Sequence, residues 1–438
     1  MAKREKMSVD QLESVVGHEV TKAVGRIDGD LSKQREALWR QYFGEPYGDE
    51  HKELSKVVDR IVSEQVDWLL PELARIFVSS DEIARLEAVS EEDEESAREE
   101  TEALNKIFFT DNRGYIIILM WLLDGLVSKT AYVKAWWETK EVTRLERYEG
   151  LLPEQADDFL DAEITDLQRN GAKVEVESRN AIQQWVRNPE TGEQELEEVK
   201  EDVTLRVTET VECPRIAHLP PDEFLISPRW TSIDLEGCPF AGHAMVVPAG
   251  DLVERGYDLD QIETLPEGRT DLTGEREARF NSGGLVDSGF EDAFTAPGMR
   301  MLEVTEACIR ATWSGDGVLE LLKVTVAGRD GEILKWSSDM KGKVESLKWP
   351  YDIQLCDEIP IFAWTPWIIP GRHVGKGVAE RVTDLQQIRS VVWRQGLTNL
   401  YIGNNLRPVV SIDQAGRDTI PDILNPRPGH PIRVTGPV

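Results

Sequence analysis

GKGVAERVTDLQQIRSVVWRQGLTNLYIG, residues 375–403, decides how the rest of the chain is read. Val378, Val382, Leu385, Ile388, Val392 and Leu400 recur at helical spacing, which predicts a helix of about 27 residues, or roughly 40 Å at 1.5 Å per residue. Its other faces carry Arg381, Arg389 and Arg394 together with Gln386, Gln387 and Gln395. Prolines 360, 366 and 370 precede it, and Asn404-Asn405-Leu406-Arg407-Pro408 ends it. Two short strands are predicted beyond, at 409–412 and 431–434. A long helix followed by two short strands has no return element to pack against within the chain. Either the chain is incomplete or neighbouring subunits cover the apolar stripe, and oligomerisation accounts for such a stripe directly.

Upstream the pattern divides in two. Residues 8–76 have helical spacing, clearest in Val57, Val58, Ile61, Val62, Val66, Leu69 and Leu70, with Pro71 placed to start a fresh helical stretch. Residues 42–48 form a turn-rich link. Residues 90–102 hold eight acids and one arginine, the composition of a solvated helix face or loop, or of a surface for a cation or basic partner. From Thr130 strands take over. Residues 132–138, 174–177 and 202–208 alternate like a sheet with one wet face, around a predicted helix at 151–169 and a hairpin tip at 188–193. A short helix is predicted at 250–264 and a long mobile loop at 271–299. Strands at 301–313, 318–326 and 332–336 are joined by Ser314-Gly315-Asp316-Gly317 and Gly328-Arg329-Asp330-Gly331, both hairpin-turn sequences. The first of these turns also faintly resembles a calcium loop but lacks the alternating acidic ligands. The class is α+β.

Composition limits function further. The chain has 438 residues, enough for about two or three domains, and a net charge of −31. Such a surface cannot be coated by nucleic acid, although a local basic strip can still meet phosphate. Residues 371–438 hold nine basic and five acidic residues, a net of +4, so everything before them carries −35. Cys213, Cys238, Cys308 and Cys356 are far apart and form no CxxC pair, which argues against a disulfide scaffold or zinc site and for a reducing, intracellular compartment. The apolar run at 115–127 is shorter than the roughly 20 residues a bilayer needs, so no membrane is expected.

No catalytic constellation emerges. There is no GxSxG elbow and no phosphate-binding GxxxxGK[ST]. Carboxylates abound, but nothing marks one pair as buried, so no enzyme, cofactor or metal is expected. His373, near the helix start, is read as a loop histidine, with ligand or base as the alternative. The 13 tryptophans suit core or interface packing.

Several stretches together resemble the portal proteins of tailed bacteriophages of the short-tailed, podovirus type. They are Tyr42-Phe43, Leu54-Ser55-Lys56-Val57-Val58, Leu219 to Pro228, Gly256-Tyr257-Asp258, Val304 to Val326, Thr365-Pro366 and Pro370-Gly371-Arg372-His373-Val374-Gly375. The most specific is Asp384-Leu385-Gln386-Gln387-Ile388-Arg389-Ser390, continued by Arg394-Gln395, Leu397 to Tyr401 and Asn404 to Pro408; the closing Arg427-Pro428-Gly429-His430-Pro431-Ile432-Arg433-Val434 is also similar.

The resemblance implies a non-enzymatic subunit of a ring, a dodecamer by the family's pattern, at the portal vertex of the capsid in the virion. The ring passes double-stranded DNA without sequence preference in packaging and genome ejection. It docks terminase and then a head-to-tail adaptor, contacts capsid and scaffolding proteins, and assembles in the host cytoplasm. The implied layout is a wing, helical over 1–128 and mixed over 129–370, a stem helix at 371–403 and the start of a small β-containing clip at 404–438. The family continues into a second stem helix, channel loops and a crown or barrel, which this sequence does not reach.

On that layout the candidate channel cations are Lys376, Arg381, Arg389 and Arg394, each read equally as a salt-bridge partner between packed subunits. Arg417, Arg427 and Arg433 are candidate docking residues of the clip, or simply solvated. Two alternatives stay open: another virion structural or adaptor protein, and an acid-surfaced hydrolase, whose excess acid would also suit a saline habitat.

Overall fold

The computed structural model describes residues 6–23, 29–49, 55–79, 82–88, 90, 93–169, 171–187, 194–266, 274–280, 297–328, 331–337, 350–404, 413, 415–424 and 432–435. In chain order the helical first part holds α1 (Val9–Lys22), α2 (Asp30–Phe43), α3 (Ile61–Val78), α4 (Glu94–Lys106) and α5 (Gly114–Ser128). Then follow β1 (Ala131–Leu151), α6 (Pro153–Arg169), β2 (Lys173–Arg187), β3 (Gln194–Leu219), β4 (Phe224–Ile226) and β5 (Phe240–Pro248). Three short helices come next: α7 (Ala249–Glu254), α8 (Leu259–Thr264) and α9 (Gly274–Phe280). The last part holds β6 (Met301–Ala311), β7 (Glu320–Ala327), β8 (Glu332–Ile333), β9 (Ile353–Leu355), β10 (Ile361–Trp364), α10 (Val378–Asn404) and α11 (Thr419–Leu424). The fold is mixed α+β, as the sequence pattern predicts. No described helix is long and apolar enough to cross a membrane.

Two compact units share these elements. The larger takes Met1–Ser79, Ile118–Tyr132 and Leu219–Val438; the smaller takes Ser80–Ile117 and Val133–His218. In the larger unit β4, β5, β6, β7 and β8 lie in that order, and β9 also pairs with β7. The β5–β6 ladder is antiparallel from Phe240↔Ile309 to Pro248↔Met301. Helix α1 closes one face of this sheet because Leu12, Val16 and Val20 repeat every four residues and pack on Ala307, Ile309, Leu322 and Val324. Its start is set by a capping box: Gln11 N–H donates to Ser8 Oγ at 3.2 Å and Ser8 N–H to Gln11 Oε1 at 3.0 Å. A second core joins α2, α3, α5, α9 and α10 through Leu38, Trp39, Val62, Val66, Leu126, Ala278 and Ala379.

In the smaller unit β1, β3 and β2 are neighbours, with β2 and β3 antiparallel from Lys173↔Thr208 to Arg187↔Gln194. Helix α6 supplies Leu160 to a small core with Val203, Leu205 and Val207. α4 ends in a π-helical turn, Ile107–Asp111. This unit holds 33 acidic and 15 basic residues, so −18 of the net −31 falls on its 124 residues.

Several expectations change. α3 continues through Pro71, an exposed residue inside the helix, so no new helix starts there. Residues 94–102 of the acidic run lie in α4, the helix of the two readings given for it, and the strands at 132–138 and 202–208 are pieces of much longer ones, β1 and β3. The single helix predicted at 250–264 is two, separated at residues 255–258. The loop predicted at 271–299 contains α9; residues 271–273 and 281–296 lie outside the described residues. So does the hairpin tip at 188–193, between strands that do pair. The predicted strand at 409–412 and Arg427 lie outside them as well, whereas 432–434 is not a strand. There Arg433 clamps Asp422 with two guanidinium bonds at 2.9 and 3.0 Å, and its carbonyl accepts from Thr419 Oγ1, which ties the segment to α11. Asp316 accepts from Val318 N–H at 2.8 Å in a glycine-flanked turn. None of the four cysteines forms a disulfide among the described residues.

Candidate assembly and channel helix

The loop before α10 is pinned to the end of α5. Thr365 Oγ1 donates to the carbonyl of Lys129 at 2.7 Å, Gly375 N–H to Thr130 Oγ1 at 3.3 Å, and Lys376 N–H to the carbonyl of Trp367 at 3.0 Å. The backbones touch: a Cβ at Gly377 would sit 2.6 Å from the carbonyl oxygen of Leu126. Lys129 turns with φ 77° and reaches Gln34 Oε1 at 2.8 Å and Glu380 Oε1 at 3.3 Å. Lys376 lines a cleft of about 790 Å³ with Asp30, Lys129, Arg372 and Glu380.

Along α10 the buried stripe is apolar only at its start, in Val378, Ala379 and Val382. It continues as polar side chains at four-residue spacing. Gln386 is fully buried; its Oε1 accepts from Val62 N–H at 2.9 Å and its Nε2 donates to the carbonyl of Gln41 at 2.9 Å. Ser390 accepts from Asp59 N–H at 2.9 Å and donates to the Gln386 carbonyl at 2.7 Å. These bonds satisfy the amide groups at the start of α3, which has no side-chain cap of its own. Most of the apolar residues point elsewhere: Leu385, Ile388, Val391, Val392, Trp393, Leu400 and Tyr401 are all exposed.

Of the candidate cations, Arg381, Arg389, Arg394 and Arg433 are held by partners within the chain. Arg389 pairs with the buried carboxylate of Asp59 at 2.8 Å. Arg394 donates to the Val57 carbonyl at 3.0 Å, pairs with Asp49 at 3.1 Å and lies over the Tyr47 ring. Arg381 stacks on Trp367, 4.6 Å from the ring centroid. Arg417 is exposed, and Arg433 pairs with Asp418 and Asp422. The structure thus gathers Arg389 and Arg394 along one helix beside the α3 approach, and holds Arg433 apart from them beside α11.

The sequence profile described as Phage SU10 portal protein matches residues 12–438. The chain belongs to that family. It is a phage portal protein of the podovirus type, a virion component of a structural rather than enzymatic family. A search of curated proteins finds no match.

In this portal protein the helix core rests on a buried charge network. Arg35 of α2, 1% exposed, donates to the carbonyls of Pro221 at 2.7 Å and Ser128 at 3.2 Å. Ser128 Oγ accepts from Trp39 Nε1 at 2.9 Å and donates to Glu275 Oε1 at 3.2 Å. Arg279 pairs with Glu275 at 2.9 Å and Asp124 at 3.2 Å and lies over the Trp39 ring. Arg276 pairs with Asp222 at 3.0 Å and with Glu223. Burial pushes the Glu275 carboxyl above the usual carboxylate range, against the pull of Arg35 and Arg279, with Asp222 and Asp124 adding to the push.

His373 is buried and doubly bonded. Its Nδ1–H donates to the Ser232 carbonyl at 2.8 Å, which leaves Nε2 to accept from Tyr132 Oη at 3.0 Å. This is the packed loop histidine of the sequence reading. Burial holds it below the usual histidine value, the Ser232 bond opposing and Arg35 adding to the effect. Its contribution to the portal fold is therefore complete above the unfolded value of about 6.5 and is lost as the pH falls below it. Stability measured by urea unfolding should drop more steeply between about pH 7 and pH 5 for the wild type than for His373→Asn. Parallel pH profiles would contradict the neutral assignment. The sequence assigns no anchoring role to Gln386, Ser390 or Asp59, although the structure does. Their one visible signal was the four-residue spacing of Gln386 and Ser390 inside the motif that carries the family resemblance.

Proposed function

We propose that this portal subunit assembles into a closed ring, a dodecamer by the family's pattern, at the capsid's portal vertex. The ring conducts double-stranded DNA and docks terminase, then a head-to-tail adaptor, beside capsid and scaffolding proteins; assembly takes place in the host cytoplasm. Residues 1–370 serve as the wing, 371–403 as the stem and 404–438 as the start of the clip. The observation that carries this reading is α10: 27 residues, anchored by a narrow polar stripe, with large apolar side chains left in water on its other sides. Such a helix is built to be flanked by copies of itself rather than to finish a monomeric core.

A conduit must repel DNA enough to release it and attract it enough to centre it. Lys376, Arg381, Arg389 and Arg394 suit weak phosphate contact because internal partners already offset much of their charge where those exist, as for Arg389 with Asp59. Arg417, Arg427 and Arg433 are proposed for the terminase and adaptor side. Arg389→Glu is expected to lower ring yield, since it leaves Asp59 facing a second carboxylate, at about 1–3 kcal/mol per subunit. The double exchange Asp59→Arg with Arg389→Glu separates the roles. Restored rings that still package little DNA indicate a channel contact; restoration of both assigns Arg389 to the fold alone, and wild-type assembly in the single variant would contradict the pairing.

A further inference from the structure

Only Lys129 and Thr130 separate α5 from β1, and the chain turns between them at Lys129, with φ 77°. Among the described residues eleven glycines take a positive φ, and Arg113 and Lys129 are the other two residues that do. Glycine adopts this conformation freely, whereas a side chain with a Cβ is strained in it. Such strain persists where the surroundings hold the residue in place. Here they hold it by its side chain, which is 9% exposed. The ammonium donates to Gln34 Oε1 of α2 at 2.8 Å and pairs with Glu380 Oε1, in the first turn of α10, at 3.3 Å. Glu380 Oε2 is buried without a hydrogen-bond partner, so among the described residues Lys129 is the cation that holds this carboxylate.

Three contacts follow one another along α10. Gly377 meets the end of α5 backbone to backbone, which fixes where the helix starts. Glu380 is then joined through Lys129 to Gln34, and Gln386 donates to the Gln41 carbonyl at 2.9 Å. These two ties fall in the same order along α10 and α2, roughly 9 Å apart on the first and 10 Å apart on the second at 1.5 Å per residue. A helix tied at one place can pivot there; a second tie fixes its direction. The apolar contact of Val378, Ala379 and Val382 does not replace the first tie, because side-chain packing alone leaves helix crossing angles a scatter of about 15–20°.

We infer that Lys129 is a positioning residue, whose left-handed turn carries its ammonium to Glu380 and so sets the tilt of α10 against α2. The consequence rests on the ring reading above. Where α10 is flanked by copies of itself, its tilt in each subunit enters the rotation from one copy to the next, and that rotation decides how many copies close the ring.

Lys129→Met keeps the turn and most of the side chain but removes the ammonium. Hydrogen exchange of the full chain should then rise by about tenfold over residues 380–386 and keep wild-type rates in α1 and β6. Native mass spectrometry should give one ring mass for the wild type and several neighbouring copy numbers for Lys129→Met. Lys129→Gly relaxes the turn while removing the same ammonium, and should match Lys129→Met in both readouts. The double variant Lys129→Glu with Glu380→Lys should restore both, because Gln34 can donate to a carboxylate as well as accept from an ammonium. Exchange that rises equally throughout the chain would assign Lys129 to general stability and overturn the inference. Unchanged exchange over 380–386, a single ring mass in Lys129→Met and Lys129→Gly, or no recovery in the double variant would each overturn it too, with the ring reading intact. Monomers of the wild-type chain would contradict the ring reading, and the exchange rates would still decide whether Lys129 holds α10.

Discussion

Replacing Arg35 with methionine should lower folding stability by about 3–5 kcal/mol, the usual cost of removing one partner from a buried charge network. Methionine fills much of the same volume, so the loss is electrostatic. The carbonyls of Pro221 and Ser128 would lose their donor, and Glu275, Asp124 and Asp222 would keep only two of the three nearby guanidinium charges, those of Arg279 and Arg276. Protonation of Glu275, already favoured by burial, would recover part of that cost. Urea unfolding measures the effect, with Arg40→Met as control. Arg40 is half exposed in a helix pair with Glu36 at 2.7 Å and should change stability by less than about 1 kcal/mol. A similarly small effect at Arg35 would mean that the network does not hold α2, α5 and α9 together.

The second large effect compares two glycines at and in the same helix. Gly377→Ala should destabilise by about 1–3 kcal/mol, because its Cβ would meet backbone, the carbonyl oxygens of Leu126 at 2.6 Å and Gly125 at 3.2 Å, which cannot swing aside as a side chain would. Gly396→Ala, inside α10 with open space around it, should instead stabilise by about 0.5–1 kcal/mol through lower backbone entropy in the unfolded chain. Opposite signs, read by thermal unfolding of the two variants, are the expected outcome. Two stabilising substitutions would contradict the close approach of α10 to α5 that sets where the helix begins.

Much of this fold was legible because local rules agreed with tertiary packing. α1, α2 and α3 follow apolar spacing, and the glycine-rich hairpin before β7 joins strands where expected. The length of α10 also followed from spacing, but its orientation did not. Periodicity marks Leu385, Ile388 and Val392 as one stripe without saying that the chain itself buries Gln386 and Ser390 instead. α9 was missed for a related reason. Its attachment runs through Glu275, Arg276 and Arg279, so a segment poor in apolar residues gives no helical signal although it is firmly held. The strand at 432–434 failed because the Arg433 clamp on Asp422 replaces ladder pairing.

Charge changed meaning in the same way. The sequence divides as −35 before residue 371 and +4 after it, whereas the fold collects −18 on the smaller unit, over 80–117 and 133–218. The larger unit, which holds α10, is correspondingly closer to neutral. α10 therefore belongs to the less acidic of the two units, where the proposed contacts of its arginines with DNA would meet less opposing charge from their own unit.

The central claim is that copies of this chain close into a ring around a channel bordered by α10. Electron microscopy of the purified chain, viewed down the particle axis, tests it most directly. The expected image is a closed ring with a central opening and α10 nearest the axis. Monomers at micromolar concentration, or closed particles with α10 on the outer surface, would contradict it.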